Sequence, residues 1–484
     1  MTETANGTAG LERVLSEHSL HSLRSARTVR STRSNRPTET QADGSPLKRQ
    51  ASAIEDTAAA MAAVDPGIEE EKEVGELPNG GYGWVIVACI LVLNACTWGV
   101  NTTYGVFSSY FLQHNYYGGS QLDYSWVGGL SAAIAVLQGP FANWMVRRFG
   151  FKLPLYIGAV CVGLGQCMAG VATTFAGFIV CQGVVFGIGM GFILVPSQPL
   201  IAHWFDRRLS LAQGIGQAGS GVGALIFSNT TPLLLHKLGV KWTYVITGSI
   251  CIVLLFPAVF LLKGRHKAVQ ARSAPLELKW FIHPGYRWIL LWAFLTMMGY
   301  FITIYTLPSF CTNALGLSQK QGGAVQSILA AGQIVGRPFW GYLLDRGGRV
   351  NMVVVSYIIA GVTTLTIWML GRSFGLMALY GFLAGATNGT IHSAATPLSA
   401  SVVGIKHLAS ALAMYWLTLG LPNLVGQPFG IMLVDYSRNK LGRTGPAAYT
   451  ISIGFCGGLY LAGAVLLLGA KRYLQGNWKV FKRT

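Results

Sequence analysis

The stretch QIVGRPFWGYLLDRGGR, residues 333–349, combines a membrane-like segment with a charged turn. Its first half is apolar enough to lie in a bilayer, although it contains Arg337. Its second half is a tight Gly, Asp and Arg turn that belongs at a membrane surface. The stretch therefore predicts a membrane-spanning helix that carries a buried cation and ends at Asp345.

A weaker copy of this pattern, QGPFANWMVRRFGFK, occupies residues 138–152, which is 198 positions earlier. The positions that match at this constant offset are Pro338 with Pro140, Phe339 with Phe141, Arg346 with Arg148, Gly348 with Gly150, Gly385 with Gly187, Gly389 with Gly191 and Pro397 with Pro199. An ungapped offset over several helices indicates an internal duplication, and duplicated helix sets are typical of many transporters.

The composition also indicates a membrane protein. Apolar residues make up 52% and charged residues only 11% of the 484, with 61 Gly and 13 Trp, unlike a soluble enzyme of this size. Residues 1–77 hold 13 acidic and 9 basic side chains, whereas the rest holds 27 basic and 5 acidic ones. Because the basic residues lie in short turns between apolar segments, membrane topology explains them better than nucleic-acid binding.

Twelve apolar segments have close to the roughly 20 residues that cross a ~30 Å hydrocarbon core. Their approximate bounds are 84–112, 124–146, 153–172, 175–200, 210–235, 242–262, 287–310, 324–344, 350–370, 374–401, 408–433 and 447–469. With both termini in the cytoplasm, the inner loops and the C-terminal tail hold 19 Lys and Arg, and the outer loops hold 7. The positive-inside rule sets this orientation, although Arg438, Lys440 and Arg443 lie in an outer loop.

The predicted protein is thus an all-α integral membrane protein with twelve transmembrane helices in two bundles of six. Its predicted parts are a disordered cytoplasmic tail (1–77), a six-helix bundle (78–262), a cytoplasmic linker (263–286), a second bundle (287–469) and a cytoplasmic tail (470–484). The Arg-Ser repeats of the first tail suit phosphorylation or anionic lipid, and an inert solvated tail is the alternative. We expect the plasma membrane rather than the vacuolar or another internal membrane.

Motifs for other functions are absent from the sequence. The eight cysteines have neither metal-ligand nor disulfide spacing, so we expect no metal and no cofactor. No nucleotide-binding Gly-Lys-Ser/Thr loop, catalytic triad or paired-carboxylate site occurs, which argues against an ATP-driven pump and against an enzyme. The expected partners are the lipid bilayer and a small-molecule substrate, without nucleic acid.

Two motifs carry a family resemblance: PNGGYGW at residues 78–84 and WFDRRLSLAQGIGQAGSGVG at residues 204–223. Together they resemble the signature of the monocarboxylate transporter family of the major facilitators, in its fungal form. The resemblance covers all twelve segments. It implies the major facilitator fold and a secondary carrier, active or facilitative, that moves a small organic anion by alternating access.

Arg337 is the predicted anion-binding residue. An intramembrane cation is costly and faces a cavity or a partner, and no Asp or Glu occurs inside any predicted span. The negative charge of the substrate is therefore the natural partner of its guanidinium fork. The alternatives are that Arg337 snorkels to the surface or bonds backbone loosened by Pro338. The resemblance implies the same role, since family members keep Arg-Pro here for the substrate carboxylate.

The sequence departs from the pattern of this family at three positions. Proton-coupled members carry an Asp where this chain has Gln333, and a Lys where it has Thr102. His392 is the remaining candidate for proton coupling, and a histidine hydrogen-bonded within the bundle is the alternative. Thr396 replaces an aromatic residue of selective members, which implies a pocket open to a bulkier substrate.

Further polar residues are expected near mid-span, where transporter sites form. They are Trp98, Asn101, Tyr300 and Asn388. For each of them, interhelical hydrogen bonding is the alternative role. Small residues at Gly214, Ala218, Gly219 and Gly223 predict close packing of their helix on a neighbour.

A cytoplasmic latch is predicted at the charged turns. Its residues are Arg147, Arg148, Asp206, Arg207, Arg208, Asp345, Arg346 and Arg349. Arg207 and Arg208 are expected to meet helix C-terminal carbonyls or a carboxylate, and Asp345 to accept hydrogen bonds at a helix end. Because Arg147 stands where Asp345 would fall in the earlier copy, such a latch is asymmetric. The alternative is that the arginines only fix topology.

Three other functions remain open. The protein is alternatively an exporter of a larger secondary metabolite, or a facilitator for a vitamin-like molecule. A different class is a non-transporting membrane sensor on a carrier fold, since fold alone does not fix function.

Overall fold

The computed structural model describes residues 78–265 and 277–475, and its regular structure there is helical throughout. The predicted tail at 1–77, residues 266–276 of the predicted linker and residues 476–484 of the predicted C-terminal tail lie outside the described residues. The two described ranges are called the first and the second half below.

The first half contains six helices. They are α1 (Gly83–Gln113), α2 (Gln121–Leu137), α3 (Gly139–Phe149), α4 (Lys152–Val171), α5 (Phe175–His203) and α6 (Leu209–Leu261). The pair α2 and α3 is bent by 44° at Gln138. Within the 53 residues of α6, Gly239 has φ 74° and ψ 178°, which breaks the helix between the predicted spans 210–235 and 242–262.

The second half contains eight helices. They are α7 (Lys279–Ile282), α8 (Tyr286–Ala314), α9 (Gln319–Gly347), α10 (Arg349–Trp368), α11 (Phe374–Asn388), α12 (Thr390–Val403), α13 (Leu408–Asn439) and α14 (Thr450–Gln475). The last helix continues beyond residue 469 into the region predicted as a tail.

Eight helices in the described ranges are long and apolar enough to cross a membrane, and nine if the bent pair α2–α3 counts as one span. α6 is one of the eight, although Gly239 divides it. The helices α9, α11 and α12 are not among them. Arg337 and several glutamines make α9 more polar, although its 29 residues extend about 43 Å. Twelve crossings therefore stay a prediction.

The internal duplication is visible in the way the helices begin and end. Ser120 and Ser318, which are 198 positions apart, both start a helix with a reciprocal capping box, formed with Asp123 and with Gln321. Gly150 (φ 80°) and Gly348 (φ 92°), at the same offset, each end a helix, and their positive φ angles are ones that favour glycine. The repeat thus preserves local backbone chemistry as well as residue identity.

The same offset relates two helix contacts. A Cβ added at Gly187 of α5 would lie 2.8 Å from the carbonyl oxygen of Ser131 in α2. A Cβ added at Gly385 of α11 would lie 2.0 Å from the carbonyl oxygen of Leu329 in α9, the position equivalent to Ser131. Equivalent helices therefore approach so closely in both halves that only glycine fits.

The surface of the helices is apolar where it would meet lipid. Val253, Phe260, Leu370 and Val465 are between 66% and 70% exposed. Polar side chains are buried instead, among them Gln198, Gln213, Gln217 and Arg337. This distribution is typical of a helical membrane protein, whose interior is the place for polar groups.

Candidate functional site

A π-helical turn in α1 positions the first group of polar residues. The turn spans Ala95–Gly99, and such turns are frequent at functional sites. Gly99 packs here on α6, where its added Cβ would lie 2.6 Å from the Cα of Gly223. Trp98, at the end of the turn, and Thr102, one turn later, face the interior between the halves, and the Thr102 hydroxyl donates to the Trp98 carbonyl at 2.8 Å.

Arg337 lies in the middle of α9 and is only 1% exposed. Its Nη1 donates to the hydroxyl of Ser220 and to the carbonyl of Gln217, both on α6 of the other half. Its Nη2 donates to the Tyr300 hydroxyl at 3.3 Å, while Nε lacks a partner among the described residues. The side chain therefore points into the interface between the halves and does not snorkel to the surface.

Gly389, between α11 and α12, makes room for this cation. A Cβ at that position would lie 2.8 Å from Nε of Arg337. Any larger side chain there would push the guanidinium out of its place. The pairing also explains why a glycine occurs at the junction of two helices within one predicted span.

Residues from both halves enclose a cavity around the guanidinium. Its lining consists of Trp98, Asn101, Thr102, Gln217, Ser220, Tyr300, Phe301, Ile304, Tyr305, Arg337 and His392. The cavity volume is about 20 Å³. That is room for about one water, so an organic ligand enters only when the halves move apart.

Three predicted site residues do not line the cavity. Gln333 contacts a lining residue instead, since its side-chain amide donates a long hydrogen bond of 3.4 Å to the Tyr300 hydroxyl. The Asn388 carbonyl accepts from the Tyr357 hydroxyl at 3.3 Å. Thr396 is fully buried, and its hydroxyl has no partner in the described part of the chain. Seven of the predicted residues are brought together, with Trp98, Asn101, Thr102, Tyr300, Arg337 and His392 at the cavity and Gln333 behind it.

Aromatic rings surround His392. The ring centroids of Trp98, Tyr300 and Trp416 lie 6.2, 5.4 and 6.4 Å from that of its imidazole. The side chain is 7% exposed and shares the cavity with Arg337. A proton on His392 would place a second positive charge in the same low-dielectric space, which is costly without a negative partner.

The acidic residues of the described ranges lie outside the cavity that holds this cation. Between residues 78 and 265 and between 277 and 475, the acidic residues are Asp123, Asp206, Glu277, Asp345 and Asp435, all in loops or in the first or last turns of helices. None of them lines the cavity. The guanidinium is therefore a buried positive charge without a carboxylate among its described contacts.

Asp345 joins the two halves at one end of the helices, which is called the Asp345 end below. Its Oδ1 accepts from the Ser210 amide at 3.0 Å and its Oδ2 from the Leu211 amide at 2.9 Å. These amides belong to the first turn of α6, so the carboxylate caps a helix of the other half. Close contact is possible because a Cβ at Gly341 would lie 2.4 Å from the Ser210 carbonyl oxygen.

Arg349 adds to the contacts at the Asp345 end. Its Nη2 donates to the Asp206 carbonyl at 3.3 Å and its Nη1 to the Pro397 carbonyl at 3.5 Å. Asp206 thus contributes its backbone, while its side chain is exposed. The remaining predicted latch residues have exposed side chains that the structure does not bring into this contact: Arg147, Arg148, Arg207, Arg208 and Arg346.

The two sequence motifs pack on each other at the same end. The Asn79 side chain accepts from the amides of Asp206 and Arg207, both at 2.9 Å. The rings of Tyr82 and Trp204 lie 5.7 Å apart, and those of Trp84 and Phe205 lie 5.0 Å apart. The start of α1 is thereby tied to the loop before α6.

A family model described as Major Facilitator Superfamily matches residues 87–330 and 289–477. The chain belongs to the Major Facilitator Superfamily. Probable transporter MCH2 of Saccharomyces cerevisiae is 30% identical over 377 residues, covering 76% of this chain and 80% of that protein. The Fujikurins efflux protein of Gibberella fujikuroi is 25% identical over 402 residues, covering 81% and 83%.

Solved structures agree with this membership at the level of fold. The proton:xylose symporter XylE has a TM-score of 0.61 at 14% identity, covering 80% of this chain and 95% of that chain. The protein is thus a multi-pass membrane transporter of the Major Facilitator Superfamily, and the expected all-helical fold is confirmed at that level.

Sequence reasoning missed part of this transporter's cavity. Phe301, Ile304 and Tyr305 line it but were not predicted. They follow Tyr300 by one, four and five positions, which is the spacing of one face of a helix. Once Tyr300 is placed in the pathway, helical periodicity would have identified them.

Proposed function

We propose that this transporter binds a small, monocarboxylate-like organic anion between two six-helix bundles and moves it by alternating access. The observation that carries the proposal is Arg337, a buried cation in the cavity between the halves without a carboxylate among its described contacts. A planar guanidinium pairs with a carboxylate through two parallel hydrogen bonds. The substrate would supply the charge that the chain does not.

The proposal places the chain in the monocarboxylate transporter branch, in its fungal form. In support, the two motifs that carry the resemblance contact each other through Asn79 and through two aromatic pairs. They form one structural unit although more than 100 residues separate them. The topology proposed with it has twelve crossings and both termini in the cytoplasm, in the plasma membrane.

The cavity is nearly closed, so transport requires the halves to separate in turn at each end. At the Asp345 end, the latch would consist of the Asp345 carboxylate, which accepts from the first turn of α6, and of the Arg349 guanidinium, which donates to the Asp206 carbonyl. Beyond the cavity, Asn423 of α13 donates to the Ala132 carbonyl at 3.3 Å, and Gln427 donates to the Ser125 hydroxyl at 3.0 Å. Contacts at both ends are what an occluded intermediate of a rocking carrier requires.

Energy coupling is proposed to be facilitative. Gln333 and Thr102 occupy the positions where proton-coupled relatives of this branch carry titrating groups, and neither can take up a proton. His392 is the alternative proton site, and its place beside Arg337 makes its protonation costly unless the anion is bound. Flux would then follow the gradient of the substrate.

Export of a larger secondary metabolite is the second candidate. A relative with 25% identity is named as an efflux protein for fujikurins, which favours this direction. It requires the cavity to widen well beyond its present space as the halves separate. Reconstitution in the two orientations distinguishes uptake from export.

The test is exchange of radiolabelled monocarboxylates in proteoliposomes that contain the full chain. We expect exchange of at least one organic anion above the rate in protein-free liposomes, and no exchange of a neutral analogue of equal size. Exchange that does not distinguish the anion from its neutral analogue would refute the assignment of Arg337 to a carboxylate. Absence of exchange for every anion would favour the non-transporting sensor.

A further inference from the structure

The cavity has an unusual lining for a site that holds only a short aliphatic acid. Four of its eleven lining residues are Trp, Tyr or Phe, namely Trp98, Tyr300, Phe301 and Tyr305. Ile304 is the one aliphatic hydrocarbon side chain among the eleven. Trp98 and Tyr305 are half-buried, so part of each ring is open to a ligand. The apolar surface offered to a substrate is therefore mainly aromatic.

The rings come from two helices and are ordered relative to one another. Phe301 and Tyr305 of α8 stack with centroids 5.9 Å apart and planes inclined by 19°. Trp98 of α1 lies on the other half, with His392 between it and Tyr300. Aromatic rings attract one another at centroid separations of about 4.5–7 Å in stacked or edge-to-face arrangements. A flat ring entering this space gains such contacts, and a saturated ring does not.

Tyr300 also defines where an anion would bind. Its hydroxyl oxygen accepts from Arg337 at 3.3 Å and from Gln333 at 3.4 Å. Because both neighbours donate, the hydroxyl proton of Tyr300 is left for an acceptor. Among the lining residues Arg337 is the one Lys or Arg, so the site matches one negative charge.

We propose that the substrate is an aromatic monocarboxylate. Its carboxylate binds between the Arg337 guanidinium and the Tyr300 hydroxyl, and its ring packs against Trp98 and the Phe301–Tyr305 pair. This inference rests on the proposed function, because it assumes that the cavity takes an organic anion.

The test compares three probes on the purified full chain, with affinity taken from the ligand-dependent shift in melting temperature. Benzoate and cyclohexanecarboxylate share a six-membered ring and one carboxylate, and benzyl alcohol keeps the aromatic ring without the charge. We expect benzoate to bind about tenfold more tightly than cyclohexanecarboxylate, since two ring contacts are gained. Benzyl alcohol is expected to cause no shift.

Variants assign the preference to the rings. Trp98→Leu and Tyr305→Leu should each reduce the benzoate preference several-fold, whereas Tyr305→Phe, which keeps the ring, should preserve it. Trp242→Leu is the matched control, because Trp242 is 55% exposed on the outer surface of α6. The melting temperature without ligand shows whether each variant is folded.

The outcomes separate the inference from the function beneath it. Equal affinity for the two acids, with both weakened in Arg337→Lys, would overturn the aromatic preference and leave the anion carrier intact. A preference that survives both leucine variants would also overturn it. Failure of both acids to bind would overturn this inference, and the exchange of other organic anions in proteoliposomes would then decide whether the proposed function stands.

Discussion

Replacing Arg337 by lysine tests the carboxylate site most directly. The charge is retained, but the planar fork that reaches Ser220 with one nitrogen and Tyr300 with the other is lost. A carboxylate would then keep one of its two hydrogen bonds to the cation. A hydrogen bond to a charged group contributes about 1.5–3 kcal/mol. Since each 1.4 kcal/mol is a factor of ten, we expect affinity to fall by about 10- to 150-fold.

The assay is the concentration dependence of exchange in proteoliposomes, for the anion that the wild-type chain exchanges. Arg346→Lys is the matched control, because Arg346 is exposed and its guanidinium lies over the ring of Tyr342, 4.6 Å from the centroid. Its exchange should equal that of the wild type. Equal amounts of monodisperse protein in the membrane show that insertion is intact. Wild-type affinity in Arg337→Lys would remove Arg337 from the site and refute the reasoning.

Three further predictions concern gating and coupling. Asp345→Asn should raise labelling of cysteines introduced at the closed Asp345 end about tenfold or more, because one charge-assisted cap bond is lost. Arg208→Gln, at an exposed site, should change this labelling less. Unchanged labelling in both variants would leave these two residues only a role in membrane topology. Gly341→Ala should slow exchange strongly, because its Cβ would lie 2.4 Å from the Ser210 carbonyl oxygen. Gly323→Ala on the same helix is the control and should leave the exchange rate unchanged, because a Cβ there has nothing within 4 Å. Equal exchange rates in the two variants would refute the packing argument. An imposed pH gradient should leave the flux of an anion of constant charge unchanged, and a gradient-driven accumulation that His392→Gln abolishes would instead identify His392 as the proton site.

The helices and the duplication could be predicted from local patterns. Apolar length reports a membrane segment directly, because every spanning helix must cover the same hydrocarbon thickness. The repeat at a constant offset appears in Pro140 and Pro338 and returns in the structure as equivalent caps at Ser120 and Ser318. Arg337 could be singled out because a cation among apolar residues, with no acid in any span, needs an external partner.

The faces of the helices could not be predicted as well. Asn388 is near mid-span by position and Thr396 aligns with an aromatic residue of the family that the sequence resembles, yet neither lines the cavity. The π-helical turn Ala95–Gly99 changes the register of α1, which a regular period of 3.6 residues does not anticipate. The arginines of the charged turns were grouped by position, but their side chains diverge to the surface while Asp345 and Arg349 turn inward.

A duplicated helical membrane transporter with one exceptional intramembrane arginine could be predicted from the amino-acid sequence alone. Those properties follow from composition, apolar length and repeat, which the bilayer imposes on each segment separately. The folded chain was needed to find which side chains share the cavity with Arg337 and which helix Asp345 caps. Those pairings depend on how closely backbones approach at Gly214 and Gly341 and on the room that Gly389 leaves for the Arg337 side chain. Contacts between residues more than 100 positions apart leave no local pattern in the sequence.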